Sequence, residues 1–366
     1  MSKVEWKTLR DVCCFKKGQM ITLKTAIKGS VPVISSGQQP SFYHNCANRN
    51  GETIVVAGSG AYAGFVSYWD TPIFVADAFS VSPKNLQTII DKYLFYYLQN
   101  NQETIYHTKT TGGIPHVYSR FIENYIIPIP PKHIQQQIVN QLDIFTTLIA
   151  KLESELTLRQ KQYEFYREEL LNFDGDEEVE WKTIKTICYS ICSGGTPPTK
   201  RPDFYNGDIP WLRTQEVDFN DVYDTAIKIT EEAIKSSSAK LIDKNCVIIA
   251  MYGATAAKCC INKIRLATNQ ACCNLNIDSE IAVYKYVFYY LCKEYFNLKA
   301  LGEGSQYNIN SEKIKNYPIP IPSKHRQQQI VSQLDTFTTL IDKLEREIAL
   351  RQKQYEFYRE KLLTFE

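Results

Sequence analysis

Gly58-Ser59-Gly60-Ala61-Tyr62-Ala63-Gly64 is the stretch of this 366-residue chain that most invites a chemical reading. Glycines after a strand-like run can cradle a phosphate, because backbone N–H groups then approach it unhindered. Here, however, the spacing is GxGxxxG rather than GxGxxG, and no helical pattern follows. A related stretch, Met251 to Ala257, keeps only Gly253. Two related domains would not share a cofactor site whose parts one of them lacks, so both stretches read as tight turns between strands. The eleven cysteines include the adjacent pairs Cys13-Cys14, Cys259-Cys260 and Cys272-Cys273, with no CxxC. Zinc needs several thiolates or imidazoles converging on one point, and neighbouring cysteines project differently. They read as reduced, buried thiols of a cytosolic protein. His133 and His325 occupy equivalent places at two helix starts, where they would cap or pack. There is no GxxxxGK[ST], HExxH or GxSxG. The Asn/Asp-Pro-Pro-aromatic motif of adenine methyltransferases is also missing, since Pro-Pro occurs only at 130–131 and 197–198. The residue types point to a binding scaffold without a reaction of its own.

The elements that must carry such a scaffold are written twice. Tyr125 to Phe173 returns as Tyr317 to Phe365 at a constant offset of 192 residues. Each copy predicts one long helix. Ile138, Leu142, Phe145, Ile149, Leu152 and Leu156, then Tyr163, Tyr166 and Leu170, step by four and three, a heptad seam. The second copy gives Ile330, Leu334, Phe337, Ile341, Leu344, Ile348, Tyr355, Tyr358 and Leu362. Arg159 and Arg351 interrupt the seams, so each should fix register or face a carboxylate. Pro128, Pro130 and Pro131, and Pro318, Pro320 and Pro322, mark rigid lead-ins. At 1.5 Å per residue each helix spans roughly 60 Å. Neither can bury its seam alone. The expectation is an intramolecular antiparallel coiled coil; the alternative is two separate helices, each packed on its own globular half.

The globular halves repeat more faintly. Val4-Glu5-Trp6-Lys7-Thr8-Leu9 answers Val179-Glu180-Trp181-Lys182-Thr183-Ile184, and Val31-Pro32-Val33-Ile34 answers Ile209-Pro210-Trp211-Leu212. The second half has an extra segment around Asp218 to Lys240. TIVVAG and NCVIIAMYG read as buried strands, PIFVADAFSVS and NQACCNLNI as a following strand, and DKYLFYYLQNN and YKYVFYYLCKEY as amphipathic helices. The expected domains are residues 1–130, a helix over 131–173, residues 174–322, and a helix over 323–366. The acidic run Asp174, Asp176, Glu177, Glu178 and Glu180 reads as a solvated linker. Residues 1–130 carry twelve Lys and Arg against eight Asp and Glu, and residues 182–322 seventeen against fourteen. Mildly basic halves are compatible with DNA binding. No run reaches the roughly 18 apolar residues of a membrane span, and the N-terminus lacks a signal-peptide pattern; a cytoplasmic location is expected.

Variable half, long helix, variable half, long helix: this layout resembles the specificity subunit of type I restriction-modification systems, over essentially the whole chain. The resemblance is carried by IPIPxKHxQQQIVxQLD in both copies, by Ser193-Gly194-Gly195-Thr196-Pro197 followed by Ile209-Pro210-Trp211, and by Thr268-Asn269-Gln270. The first half departs from it, with Lys16-Lys17-Gly18 and Ala76-Asp77-Ala78-Phe79 at those places. The resemblance implies an α+β fold: two β-rich target recognition domains separated by two long helices that form an intramolecular antiparallel coiled coil with pseudo-two-fold symmetry. It implies that each domain reads one part of a split double-stranded DNA site. Two modification subunits, carrying S-adenosylmethionine and methylating adenine, would bind the helices, and ATP- and Mg-dependent restriction subunits would join them. No cofactor is expected on this chain. Helix length would act as a ruler for the unread spacer.

Reading bases needs Arg or Lys for guanine and Asn or Gln for adenine. In the second half the candidates are Thr199, Lys200, Arg201, Tyr205, Arg213, Thr214, Gln215, Tyr252, Lys258, Gln306, Tyr307 and Asn308. In the first half they are Ser35, Ser36, Gln38, Gln39, Tyr43, Tyr62, Lys109, His116 and Tyr118. Most Lys and Arg would hold phosphates. Two other readings stay open: a specificity subunit for a partner that both methylates and cleaves, and a structural coiled-coil protein with two interaction domains. A self-contained methyltransferase is the enzyme alternative.

Overall fold

The computed structural model describes residues 4–303 and 308–365. Both halves are built on one plan. The strand Glu5–Thr8 pairs antiparallel with Ile126–Ile129, and Glu180–Thr183 pairs in the same way with Pro318–Ile321. The proline-rich lead-ins are therefore strands, and each ties the start of its half to the start of its long helix. The larger sheet of the first half runs Cys13–Lys17, Ala78–Pro83, Thr53–Ala57, Val66–Trp69, all antiparallel. In the second half the order is Cys188–Ser193, Cys272–Ile277, Val247–Ala250, Cys259–Asn262, and then Asp221–Val222, which the extra segment adds in parallel. A smaller sheet lies in each half, with Val31–Ile34 parallel to Phe74–Val75 and Ile209–Leu212 parallel to Leu266–Thr268.

The run PIFVADAFSVS differs from the expected single strand. It breaks at Ala76-Asp77, and its two pieces belong to different sheets. The break is held by backbone bonds, Ala76 N donating to Ile34 O at 2.7 Å and Gly58 N to Asp77 O at 3.0 Å. A sequence pattern cannot reveal it, because both pieces are buried and apolar.

Helices Asp91–Asn100 and Tyr284–Lys293 occupy the expected places. Their tyrosines are locks as well as core. Tyr93 and Tyr286 are fully buried, and each hydroxyl donates to a lead-in carbonyl, Pro128 O at 2.9 Å and Pro320 O at 2.7 Å. The long helices, Lys132–Leu170 and Lys324–Leu363, dock beside them. Gln135 and Gln327 are completely buried. Gln135 Nε2 donates to Thr88 O and Pro130 O at 2.9 and 2.8 Å, and its Oε1 accepts from Ile90 N at 2.9 Å. Gln327 repeats the pattern with Ile281 O, Pro322 O and Val283 N. Two turns on, Asp143 accepts from Lys92 and Tyr96 at 2.8 and 2.6 Å, and Asp335 accepts from Lys285 and Tyr289, both at 2.6 Å.

The chain divides into two units, Met1–Ser154 with Glu345–Glu366, and Glu155–Leu344. Each contains the first part of one long helix and the last part of the other. In the first unit Ile138, Val139 and Leu142 join the core of the half, and so does Leu363, with Tyr355, Leu362 and Phe365 packed against it. In the second, Ile330 and Leu334 enter the core together with Leu171 and Phe173. Starts pair with ends, so the helices run antiparallel in both units. The ring of Phe145 stacks on Tyr358 at 5.3 Å, and Tyr166 stacks on Phe337 at 5.2 Å. These are one contact made twice with its partners exchanged, as an isologous pairing requires. Leu142, Leu334 and Ile348 are buried, while Phe145, Ile149, Leu152, Leu156, Phe337, Ile341 and Leu344 are half-buried, because a two-helix pair covers one side of a seam. The helices therefore pair, as expected, and are not the two separate helices of the alternative; their ends pack on globular halves in addition. Arg159 and Arg351 do face carboxylates, Glu155 and Glu347 of their own helices at 2.7 Å, and each stays partly solvated.

Replacing Gln135 by leucine leaves the buried Pro130 O and the part-buried Thr88 O and Ile90 N without this partner. The expected loss of stability in urea unfolding is about 2–4 kcal/mol, and Gln327→Leu should lose a similar amount. Asp143→Asn removes only a half-exposed ion pair and should lose about 1 kcal/mol or less.

Candidate nucleic-acid interface

The glycine stretch is a turn between the antiparallel strands Thr53–Ala57 and Val66–Trp69. Gly60 and Gly64 have φ of +77° and +88°, a left-handed backbone that side chains resist. At Gly64 a Cβ would also meet Ile105, Tyr106 and Val117 at 3.2 Å. The segment before the lead-in runs along this turn, with Gly60 N donating to Pro115 O at 2.9 Å and Val117 N to Gly58 O at 3.0 Å. That packing brings together Tyr62, Lys109, His116 and Tyr118. Lys109 Nζ donates to Ala61 O at 3.4 Å and lies over the Tyr106 ring at 4.0 Å. His116 stacks on Tyr118 at 5.7 Å, and the Arg120 guanidinium covers the Tyr118 ring at 4.8 Å. Ser36 flanks the turn, its Cβ 3.9 Å from where a Gly60 side chain would begin. Ser35, Gln38 and Gln39 share the loop of Ser36 after Val31–Ile34, with both glutamines exposed. Tyr43 is exposed on the neighbouring strand Phe42–His44, opposite Pro32.

The second half repeats the arrangement. The turn around Gly253, φ +82°, joins Val247–Ala250 to Cys259–Asn262, and Ile309 N donates to Met251 O at 2.9 Å, as Val117 does to Gly58. Asn308 lies at this junction, paired with Glu303 through backbone bonds of 3.0 and 3.1 Å. Gln306 and Tyr307 lie outside the described residues. Thr255 Oγ1 donates to Thr214 O at 2.7 Å, which sets Thr214 beside the turn, with the exposed Gln215 next to it in sequence and the exposed Tyr252 on the turn. Lys258 pairs with Asp218 at 2.5 Å and lies near the Phe219 ring, and Arg213 pairs with Glu216 at 3.5 Å.

Thr199, Lys200, Arg201 and Tyr205 belong to a different loop, between Cys188–Ser193 and Ile209–Leu212. Tyr205 is half-buried and structural in its contacts: its hydroxyl donates to Pro197 O at 2.5 Å, and its ring meets Trp211 edge-on at 5.8 Å. Trp211 Nε1 in turn donates to Gly195 O at 3.0 Å. Arg201 forks onto Asp203, with its shortest bond 2.6 Å, and covers the Phe204 ring; the guanidinium draws the exposed Asp203 carboxyl below the usual range. Thr199 and Lys200 are exposed, and Lys200 has no partner among the described residues. Gly194 lies tight against Thr268 and Gly195 against Ser238 and Ala239, so this glycine pair serves close packing.

Several residues at these loops escaped the sequence reading. Arg120 lies two positions beyond the candidate Tyr118, and Ser59 lies inside the glycine stretch. Gln270 enters the sequence reading only as part of the family resemblance, and Asp77 only as a departure from it. Only the fold shows that the strand break places them beside the turns.

Burial raises the thiols of Cys13, Cys188, Cys246 and Cys272 to about 12 and that of Cys273 to about 11, and it also holds those of Cys259 and Cys260 well above the ordinary thiol range. Cys14 and Cys46 are exposed. The thiolate is the reactive form. With Ellman's reagent at pH 8, the native chain should show two fast thiols, removed by Cys14→Ser and Cys46→Ser. The buried thiols should react only on unfolding.

Comparison with known proteins agrees with this construction. The family described as Type I restriction modification DNA specificity domain matches residues 1–158 and 176–351. The specificity subunit of the Escherichia coli type I restriction enzyme EcoR124I/EcoR124II is 38% identical over 267 residues, spanning 67% of this chain and 65% of that relative. A putative type I restriction enzyme specificity subunit of Haemophilus influenzae, S.HindORF215P, is 27% identical over 100% of this chain and 96% of its own length. In fold, the crystal structure of the type I restriction-modification S subunit from M. genitalium matches with a TM-score of 0.73 at 16% identity, covering 100% of this chain and 97% of that one. With the matched residues taking in both halves and most of both long helices, the chain belongs to the type I restriction-modification DNA specificity family, whose members are non-catalytic subunits of multisubunit enzymes.

Proposed function

We propose that this chain reads an asymmetric, split double-stranded DNA site, one half-site per globular half, and that its paired helices hold two modification subunits. The observation that carries the reading is the twice-made helix docking. The Gln135 and Gln327 clamps and the Asp143 and Asp335 locks use the same residue types at the same positions, while the loops around the two glycine turns differ. A scaffold repeated with fidelity and loops that diverge suit two identical partners on the outside and two different base sequences underneath.

The turns offer the chemistry that base reading needs. Tyr62, Lys109, His116, Tyr118 and Arg120 combine aromatic faces with cations, and Ser36, Thr214, Gln215 and Asn308 supply donors and acceptors. The exposed Lys200 would meet phosphate in this reading. S-adenosylmethionine, ATP and Mg belong in this reading to the modification and restriction subunits, and the assembly works in the cytoplasm, where its DNA is. Among the described residues no helix is long and apolar enough to cross a membrane.

Co-expression with the modification subunit in an unmethylated host, followed by single-molecule sequencing, tests the reading. One split motif with adenines modified on both strands is the expected result. A stable complex that leaves no motif would overturn it.

A further inference from the structure

Asp77 and Gln270 occupy the same place in the two halves. Each follows a strand of the smaller sheet, Phe74–Val75 or Leu266–Thr268, where the chain crosses to the larger one. The residue before each is fixed alike, Ala76 N donating to Ile34 O at 2.7 Å and Asn269 N to Leu212 O at 2.9 Å. Each side chain is oriented by a hydroxyl from a neighbouring loop: Ser59 Oγ donates to Asp77 Oδ2, and Thr196 Oγ1 donates to Gln270 Oε1. The remaining polar atoms, Asp77 Oδ1 and Gln270 Nε2, have no hydrogen-bond partner among the described residues. Asp77 Oδ1 lies beside Gly58, 3.3 Å from where a side chain there would begin.

The backbone setting is shared and the side chains differ, a carboxylate in one half and a carboxamide in the other. A carboxylate can only accept. The loops that surround it, residues 35–43, 58–64 and 109–118, contain no other Asp or Glu. A lone anion on a surface that meets a polyanion weakens binding, unless it accepts from a base amino group. Resting on the reading of a split DNA site, we infer that Asp77, which departs from the Thr268-Asn269-Gln270 stretch shared with the family, is a specificity determinant. Asp77 accepts from the exocyclic amino group of a cytosine or adenine in the first half-site.

The methylation map tests this with the whole chain and its modification subunit. The wild type gives the reference motif, and a wild type without a split motif would sink the underlying reading rather than this inference. Asp77→Asn keeps the shape and the Ser59 bond. Its expected map has one base position of the first half-site relaxed by about tenfold to a hundredfold in discrimination, with the second half-site unchanged. Ser59→Ala, which frees the Asp77 carboxylate, should relax the same position as Asp77→Asn. An unchanged motif in the Asp77→Asn variant would overturn the inference. So would loss of methylation at all sites, since that makes the residue structural.

Discussion

Everything in this fold hangs from a buried glutamine amide. Gln135, and again Gln327, brings a polar side chain into an apolar core and satisfies it completely with backbone groups from two other segments. Burying an amide without partners costs stability, while a fully bonded one is close to neutral. Its value is therefore geometric. The amide admits one position of the long helix against its half, and Asp143 or Asp335 fixes the rotation two turns further on. The same few residues explain why the stretch QQQIVxQLD is spelled alike in both copies. The other glutamines of that run are exposed, so the repeated letters do not all carry the same weight.

Divergence is confined to what the clamps leave free. The paired strands at the base, the tyrosine helix and the docked long helix recur with the same bonds. Above them, the glycine turn keeps its backbone role in both halves but changes its side chains, and the second half adds a strand and a helix from its extra segment. Shared backbone bonds, such as Val117 to Gly58 and Ile309 to Met251, hold two different sets of side chains in corresponding places. This is the division of labour expected where rigid elements position variable loops.

Much of this was legible beforehand. A heptad seam over two copies predicts paired helices, and β-branched runs that stop at glycine predict buried strands. What was not legible depends on distance. The seam pattern does not distinguish Leu142, which is lost in a globular core, from Phe145, which meets the other helix. Tyr205 resembled a base reader by type, yet its hydroxyl and ring are taken up by Pro197 and Trp211. Asp77 gave no signal of its own, because its setting arises from a chain crossing between two sheets.

The docking of the helix ends also governs the order in which the chain can be completed. The core of the first half includes Leu363, with Tyr355, Leu362 and Phe365 against it, and the Tyr355 hydroxyl donates to Gln99 across 256 residues of sequence at 2.7 Å. During synthesis the first half emerges early and must wait for residues 355–365 before its apolar surface closes. Contacts of such long range slow folding, and the open core is exposed to aggregation in the interval. The second half, by contrast, draws its borrowed residues Leu171 and Phe173 from just upstream, and can close as soon as its own long helix has begun.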